Sequence, residues 1–301
     1  MTAVDRDIRT QGILVLLMWF SLTPGLIFTF GCQAQLGPGG AEEVDGARRE
    51  ASERGATAGV PGSSAERTRA RRGRLEVVGE YPHDPGAFTQ GLLWHDGMLY
   101  ESTGRYGEST LRLVEPRTGA VLRMQSLSPS LFGEGLALVD GQLIQLTWRA
   151  GRALVWDLER FEPIDEWGYN GQGWGLTAGD GELIMSDGST RLTFRDPVDF
   201  SWRRTLEVSL DGRPLPQLNE LEYVDGKVWA NVWSDQRLVR IDLTTGAVDL
   251  VVDASGLLDP DLARYVDVLN GIAHDPETGH FWVTGKLWPR IFEVRITAPD
   301  E

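Results

Sequence analysis

From Arg74 onward the chain is written in short apolar runs separated by turn residues, which reads as an all-β pattern. One element recurs five times. A residue followed by Gly-Leu, or a close variant, opens an apolar strand, an Asp-Gly pair ends it, and a second strand follows. The copies are Gln90-Gly91-Leu92 with Asp96-Gly97, Glu134-Gly135-Leu136 with Asp140-Gly141, and Trp174-Gly175-Leu176 with Asp180-Gly181. Asn219-Glu220-Leu221 with Asp225-Gly226 is the fourth, and Asn270-Gly271-Ile272 with Asp275-Pro276 the fifth. The turn aspartates are spaced by 44, 40, 45 and 50 residues. Asp-Gly between apolar runs signals a tight hairpin, because that turn needs positive φ. Further pairs follow, such as Leu111–Val114 with Ala120–Gln125, and Leu238–Leu243 with Ala247–Val252, giving four strands per unit. Strand-only units with a period in the forties predict an all-β, five-bladed β-propeller. Leu75–Gly79 precedes the first copy and Ile291–Ile296 follows the last, each without a partner. Pairing of these N- and C-terminal strands would close the ring and remove two exposed sheet edges.

In a propeller the chain runs from the inner strand outwards. The residue before each Gly-Leu therefore falls at one mouth of the central channel, and the end of each second strand lies beside it. This gathers Gln90, Glu134, Trp174, Asn219 and Asn270 with Trp148, Trp233 and Lys286 on one rim. A carboxylate among aromatics, carboxamides and a lysine reads as a binding site rather than a plugged channel. The fifth copy replaces Asp-Gly with Asp275-Pro276-Glu277-Thr278-Gly279, which predicts a longer loop, and residues 257–268 predict a short helix over the rim.

Charge is uneven. The net value is −15, but residues 1–73 hold 9 Arg against 8 acidic side chains, whereas residues 74–301 hold 20 basic against 36 acidic. A domain at −16 repels phosphate backbones, so nucleic acid is not an expected partner. Ile13–Phe30 is an apolar run of 18 residues followed by Gly31 and Cys32, the only cysteine. A transmembrane anchor, a cleaved secretory signal and a lipoprotein leader with Cys32 lipidated all fit it. The chain thus divides into 1–32 as leader or anchor, 33–73 as a disordered tether rich in Gly, Ala, Ser, Glu and Arg, and 74–297 as the propeller. That organisation predicts a bacterial cell-envelope protein, lipid-anchored or secreted, touching the membrane only through its N-terminus. A monomer is expected, as closed propellers are often monomers.

Phe88-Thr89-Gln90-Gly91-Leu92, Phe132-Gly133-Glu134-Gly135-Leu136, Gly173-Trp174-Gly175-Leu176-Thr177, Leu218-Asn219-Glu220-Leu221-Glu222-Tyr223, Val268-Leu269-Asn270-Gly271-Ile272-Ala273 and Thr284-Gly285-Lys286-Leu287-Trp288-Pro289 together resemble the glutaminyl cyclases of the plant and bacterial type. The resemblance spans roughly 75–297 and implies an acyltransferase that converts N-terminal glutamine of peptides and proteins to pyroglutamate, releasing ammonia. It implies Glu134 as the catalytic proton carrier. Phe88, Phe132, Trp148, Trp174 and Trp233 would then be pocket walls, and Gln90, Asn219 and Lys286 partners for the carboxamide oxygen. Glu220 is a candidate for the substrate ammonium or, with Glu222, for lining the channel around a structural cation such as calcium. Glu101 and Tyr100 would support the site from behind, and Asp187 would be a turn residue. The four histidines have no metal-ligand spacing, so no catalytic metal or other cofactor is expected. Two other readings stand beside the enzyme. One is a non-catalytic propeller lipoprotein that binds envelope proteins; the other is a propeller lyase or lactonase, which would need a histidine or metal cage.

Overall fold

In a computed structural model of the chain, residues 69–298 are described, and every regular element among them is a β-strand. Cys32, the apolar run and most of the tether lie outside the described residues. Strand β1 spans Arg71–Pro82. The first sheet follows in chain order: β2 (Thr89–His95), β3 (Met98–Thr103), β4 (Thr110–Val114) and β5 (Val121–Ser126). The second is β6 (Gly133–Val139), β7 (Gln142–Thr147), β8 (Arg152–Asp157) and β9 (Pro163–Gly168). The third is β10 (Leu176–Gly179), β11 (Glu182–Ser186), β12 (Arg191–Arg195) and β13 (Trp202–Glu207). A small hairpin, β14 (Ser209–Leu210) with β15 (Arg213–Pro214), precedes the fourth sheet. That sheet is β16 (Leu218–Val224), β17 (Lys227–Val232), β18 (Arg237–Asp242) and β19 (Val248–Asp253).

The last three strands are β20 (Leu269–Asp275), β21 (His280–Gly285) and β22 (Arg290–Thr297), and their outer neighbour is β1. β1 and β22 are antiparallel, with Leu75 opposite Ile296. The start of β1 also runs parallel to β19, Arg71 facing Leu250, and this pairing joins β16–β19 and the last three strands into one eight-stranded sheet.

The turns explain why the repeat is so legible. Asp96-Gly97, Asp140-Gly141, Asp180-Gly181 and Asp225-Gly226 all hold both residues at positive φ, 48–50° for the aspartates and 72–77° for the glycines. This is the type I′ hairpin turn, whose twist matches that of the flanking strands. Asp211-Gly212 makes the same turn at φ 52° and 76° but caps the small β14–β15 hairpin, an element the five-fold reading passes over. The fifth hairpin closes with Asp275 opposite His280 around the longer loop. No helix forms over 257–268, contrary to expectation; the segment is a series of turns. Asp259 O accepts from both Leu262 N and Ala263 N, and the next such bond runs from Tyr265 N to Leu262 O. One turn without extension does not recover the cost of helix nucleation.

Five apolar clusters lie between consecutive sheets. Leu111 packs with Leu143, Leu146 with Leu183, Phe194 with Val228, and Leu238 with Val283. The fifth cluster joins the last sheet to the first through Trp282, Ile291, Leu92 and Leu99, with Trp94 stacked on Trp282 at 5.4 Å. The inner strands β2, β6, β10, β16 and β20 touch in the same cyclic order. Gly91, Gly135 and Gly175 occur where neighbouring inner strands come closest. A Cβ added at each would lie 2.6 Å from Leu136 N, 2.3 Å from Leu176 N and 1.9 Å from Asn219 O, respectively. Glycine is required there by proximity.

Candidate active site

At the start of four inner strands the pairing slips. The register shifts between Thr89 and Gly91, Gly133 and Leu136, Leu218 and Leu221, and Leu269 and Ile272. Gln90, Glu134, Asn219 and Asn270 are thereby left out of the ladder, and a bulge of this kind re-aims the side chain it frees. In the third sheet Trp174 precedes β10 and is tied by its N–H to Ser186 O at 3.0 Å. In four of the five copies the repeat therefore supplies both the strand and a bulge that frees one residue at its start.

A cavity of about 550 Å³ opens there, lined by Phe88, Gln90, Phe132, Glu134, Trp148, Arg149, Gln172, Trp174, Asn219, Trp233 and Lys286. Its volume falls in the range of ordinary small-ligand sites. Nine of the eleven residues expected from sequence at the rim or pocket line it; Asn270 and Glu220 do not. Phe88, Phe132 and Trp148 form one continuous wall, with ring centroids 6.1 and 5.5 Å apart. Trp174 and Trp233 meet edge-to-face at 6.1 Å and form the other.

Glu134 is buried, and burial lifts its carboxyl well above the ordinary carboxylate range despite the opposing charge of Lys286 and a hydrogen bond from Gln90. Burial likewise pulls Lys286 below the usual lysine range, partly offset by Glu134. Lys286 Nζ lies 5.0 Å from the Phe88 ring centroid. Asn270 does not line the cavity; its Nδ2 donates to Thr89 O at 3.0 Å and to Gln90 Oε1 at 3.5 Å. With its oxygen engaged, Gln90 presents its NH2 to Glu134. Behind Gln90, Glu101 accepts from Thr89 Oγ1 at 2.7 Å and pairs with His83 Nε2 at 3.0 Å. Burial would push the Glu101 carboxyl up, but His83, Arg112 and Thr89 outweigh it and hold the group low. Asp187 Oδ1 accepts from Ser189 N at 3.0 Å and serves a turn.

Two lining residues escape the sequence reading. Gln172 Oε1 accepts both indole N–H groups, Trp148 Nε1 at 2.8 Å and Trp174 Nε1 at 3.0 Å, and so locks the two walls to each other. Arg149 lies with its guanidinium 3.8 Å from the Trp148 ring centroid. Neither is in a slot of the repeat. Arg149 directly follows Trp148 at a hairpin end, which is the signal that points to it.

Glu220 requires a correction. Of its two expected roles, substrate ammonium partner or channel lining, the first does not fit: Glu220 is fully buried and does not line the cavity. Its two oxygens accept the backbone N–H groups of Leu92 at 3.2 Å and Ile272 at 2.8 Å. It stands where the other copies carry glycine and crosses the channel, linking the fourth sheet to the first and last. Glu222 accepts from His274 N at 2.8 Å. Among the described residues no group of three or more His, Cys, Asp or Glu is placed to hold a metal ion.

Burial raises the Glu222 pKa to about 8. An unfolded glutamate ionises near 4.3. The folded state therefore keeps a proton that the unfolded chain has released, and this group's contribution to stability falls as pH rises from about 4.3 to 8. Glu222→Gln keeps an acceptor for His274 N–H and removes that loss. The variant should melt above the parent at pH 9, by about 2–4 °C for each kcal/mol recovered, and the two should converge by about pH 4. Melting curves across that range check it; a constant difference at all pH values contradicts it.

The family model for glutamine cyclotransferase matches residues 53–296. A glutaminyl-peptide cyclotransferase of Arabidopsis thaliana is 39% identical over 232 residues, covering 75% of this chain and 72% of the relative. The crystal structure of Myxococcus xanthus glutaminyl cyclase matches with a TM-score of 0.72 and 40% identity, over 77% of this chain and all of that one. By sequence and by structure, the chain belongs to the glutamine cyclotransferase family.

Proposed function

We propose that this protein is a glutaminyl-peptide cyclotransferase built on a five-bladed β-propeller, with Glu134 as the proton carrier of the reaction. The cyclic order in which the five inner strands touch, and the five apolar clusters between them, support the blade count. The observation that carries the function is Glu134, buried beside Gln90 and Lys286 in an aromatic pocket.

In this reading the glutamine side chain of a substrate enters between the two aromatic walls and folds back toward its own α-amine. The reaction is intramolecular, so holding the near-attack geometry accounts for much of the rate. The neutral amine nitrogen forms a bond to Cδ, and the carbonyl electron pair moves onto oxygen. Glu134 takes one proton from the amine. The oxyanion then collapses, the bond from Cδ to the amide nitrogen breaks, and Glu134 returns the proton so that ammonia leaves. Its raised pKa suits a group that must both accept and give a proton in turn. The Lys286 charge and the Asn219 amide face the developing oxyanion from buried positions, where such contacts are worth most.

Incubation of the full chain with a Gln-initiated peptide tests the reading. One ammonia should be released per peptide, with the matching mass loss, while the same peptide beginning with Asn should not react. Absence of turnover of every Gln-initiated peptide overturns the assignment and leaves a binding propeller.

A further inference from the structure

The pocket's charge runs against that of its domain. Residues 74–301 carry 20 basic and 36 acidic side chains, yet the charged residues lining the cavity are Glu134, Lys286 and Arg149, two cations to one carboxylate. Glu134 and Lys286 face each other in the interior. Arg149 is exposed at the mouth and forms no ion pair with any described residue. Its guanidinium is not loose, however. It stacks on Trp148, and Trp148 is fixed in turn by its hydrogen bond to Gln172.

A second guanidinium stands at the far end of the same wall. Arg105 lies 4.7 Å from the centroid of Phe88, with only Glu108 near it at 3.8 Å. Its loop is closed by Ser109 Oγ donating to Arg105 O at 2.7 Å. The wall of Phe88, Phe132 and Trp148 is thus bracketed by two positioned cations.

A peptide with its glutamine in the pocket must leave through this mouth. One residue advances the chain by roughly 3.5 Å, so the second side chain of the substrate emerges at the rim. A guanidinium held over a ring face still has N–H donors to offer a carboxylate. Resting on the cyclotransferase reading above, we propose that Arg149, assisted by Arg105, selects peptides and proteins carrying Asp or Glu directly after the N-terminal glutamine. The same two charges disfavour Lys or Arg at that position.

The experiment measures kcat/KM for three amidated peptides that differ only in the second residue: Gln-Glu, Gln-Ala and Gln-Lys, each with the same neutral tail. At low salt the order is Glu, Ala, Lys, and the Glu-to-Lys ratio is roughly five to twentyfold, the size of one or two exposed ion pairs gained against as many repulsions. At about 0.5 M salt the ratio shrinks, since exposed charges are screened. Arg149→Gln brings the ratio close to one, Arg149→Glu inverts it, and Arg149→Lys retains part of it. A purely structural role for Arg149 lowers turnover of all three peptides alike and leaves the ratio unmoved. Equal turnover of the three peptides by the parent chain, or an unchanged ratio in Arg149→Gln, overturns the proposal. No turnover of any of them by the parent chain overturns the cyclotransferase reading instead.

Discussion

Glu134→Gln should lower kcat for pyroglutamate formation by about 10² to 10⁴, the usual contribution of a positioned acid–base group. The substitution is chosen to change little else. Glutamine fills nearly the same volume, and its oxygen still accepts from the Gln90 amide that hydrogen-bonds Glu134. What it cannot do is take a proton from the attacking amine and return it to the leaving nitrogen. The aromatic walls and the Gln172 bridge between Trp148 and Trp174 remain, so KM should stay within a few-fold. Some rate should persist, because holding amine and Cδ together accelerates ring closure without a proton carrier. Initial rates of ammonia release across substrate concentrations separate the two constants. A kcat near that of the parent removes Glu134 from the chemistry; an unchanged kcat with a large rise in KM makes it a binding group.

How far the sequence disclosed this site depends on how local each signal is. Asp-Gly turns are decided by two residues needing positive φ, so Asp96-Gly97 and its three counterparts were readable directly. The slot before Gly-Leu was readable because repetition aligned it, and Gln90, Glu134, Trp174 and Asn219 line one cavity. Trp148, Trp233 and Lys286 followed from antiparallel pairing alone. What was lost lies in contacts between sheets. Glu220 reaches Leu92 across 128 residues and Ile272 across 52, and no local pattern says that a carboxylate will spend both oxygens on backbone N–H groups. Asn270 carries the same slot signal as Asn219 but turns to Gln90 rather than the cavity. Gln172 is neither repeated nor periodic; only the meeting of two indoles on its one oxygen reveals its role. The expected helix over 257–268 failed for a different reason, since its single turn is not extended.

Gly175→Ala should be the most damaging single-methyl change in the inner ring. Gly175 is not among the glycines at positive φ, so the loss does not come from backbone strain. It comes from space: the added Cβ would sit 1.9 Å from the carbonyl oxygen of Asn219 and 2.8 Å from its carbon. Backbone cannot swing aside as a side-chain end can, so the third and fourth sheets must part. Overpacking of this kind costs about 1–3 kcal/mol or more, a fall in melting temperature on the order of 2–4 °C per kcal/mol for a domain of this size. Gly97→Ala provides the contrast. Its φ of 76° strains an alanine, but nothing lies within 4 Å of the new methyl, so its cost is conformational alone. The inner-ring change should also reach the chemistry. Ser186 Oγ accepts from Gly175 N at 2.7 Å and donates to Asn219 O at 2.6 Å, so the hydroxyl ties the Trp174 segment to the Asn219 segment. Parting the strands shifts Trp174 against Asn219, one a wall of the pocket and the other a partner for the oxyanion. At a temperature where both variants are folded, Gly175→Ala should therefore lose kcat/KM by tenfold or more, the equivalent of about 1.4 kcal/mol, while Gly97→Ala keeps the parent value. Equal melting temperatures for Gly175→Ala and the parent would show that the inner strands yield freely. The glycine of the repeat would then not be set by their close approach.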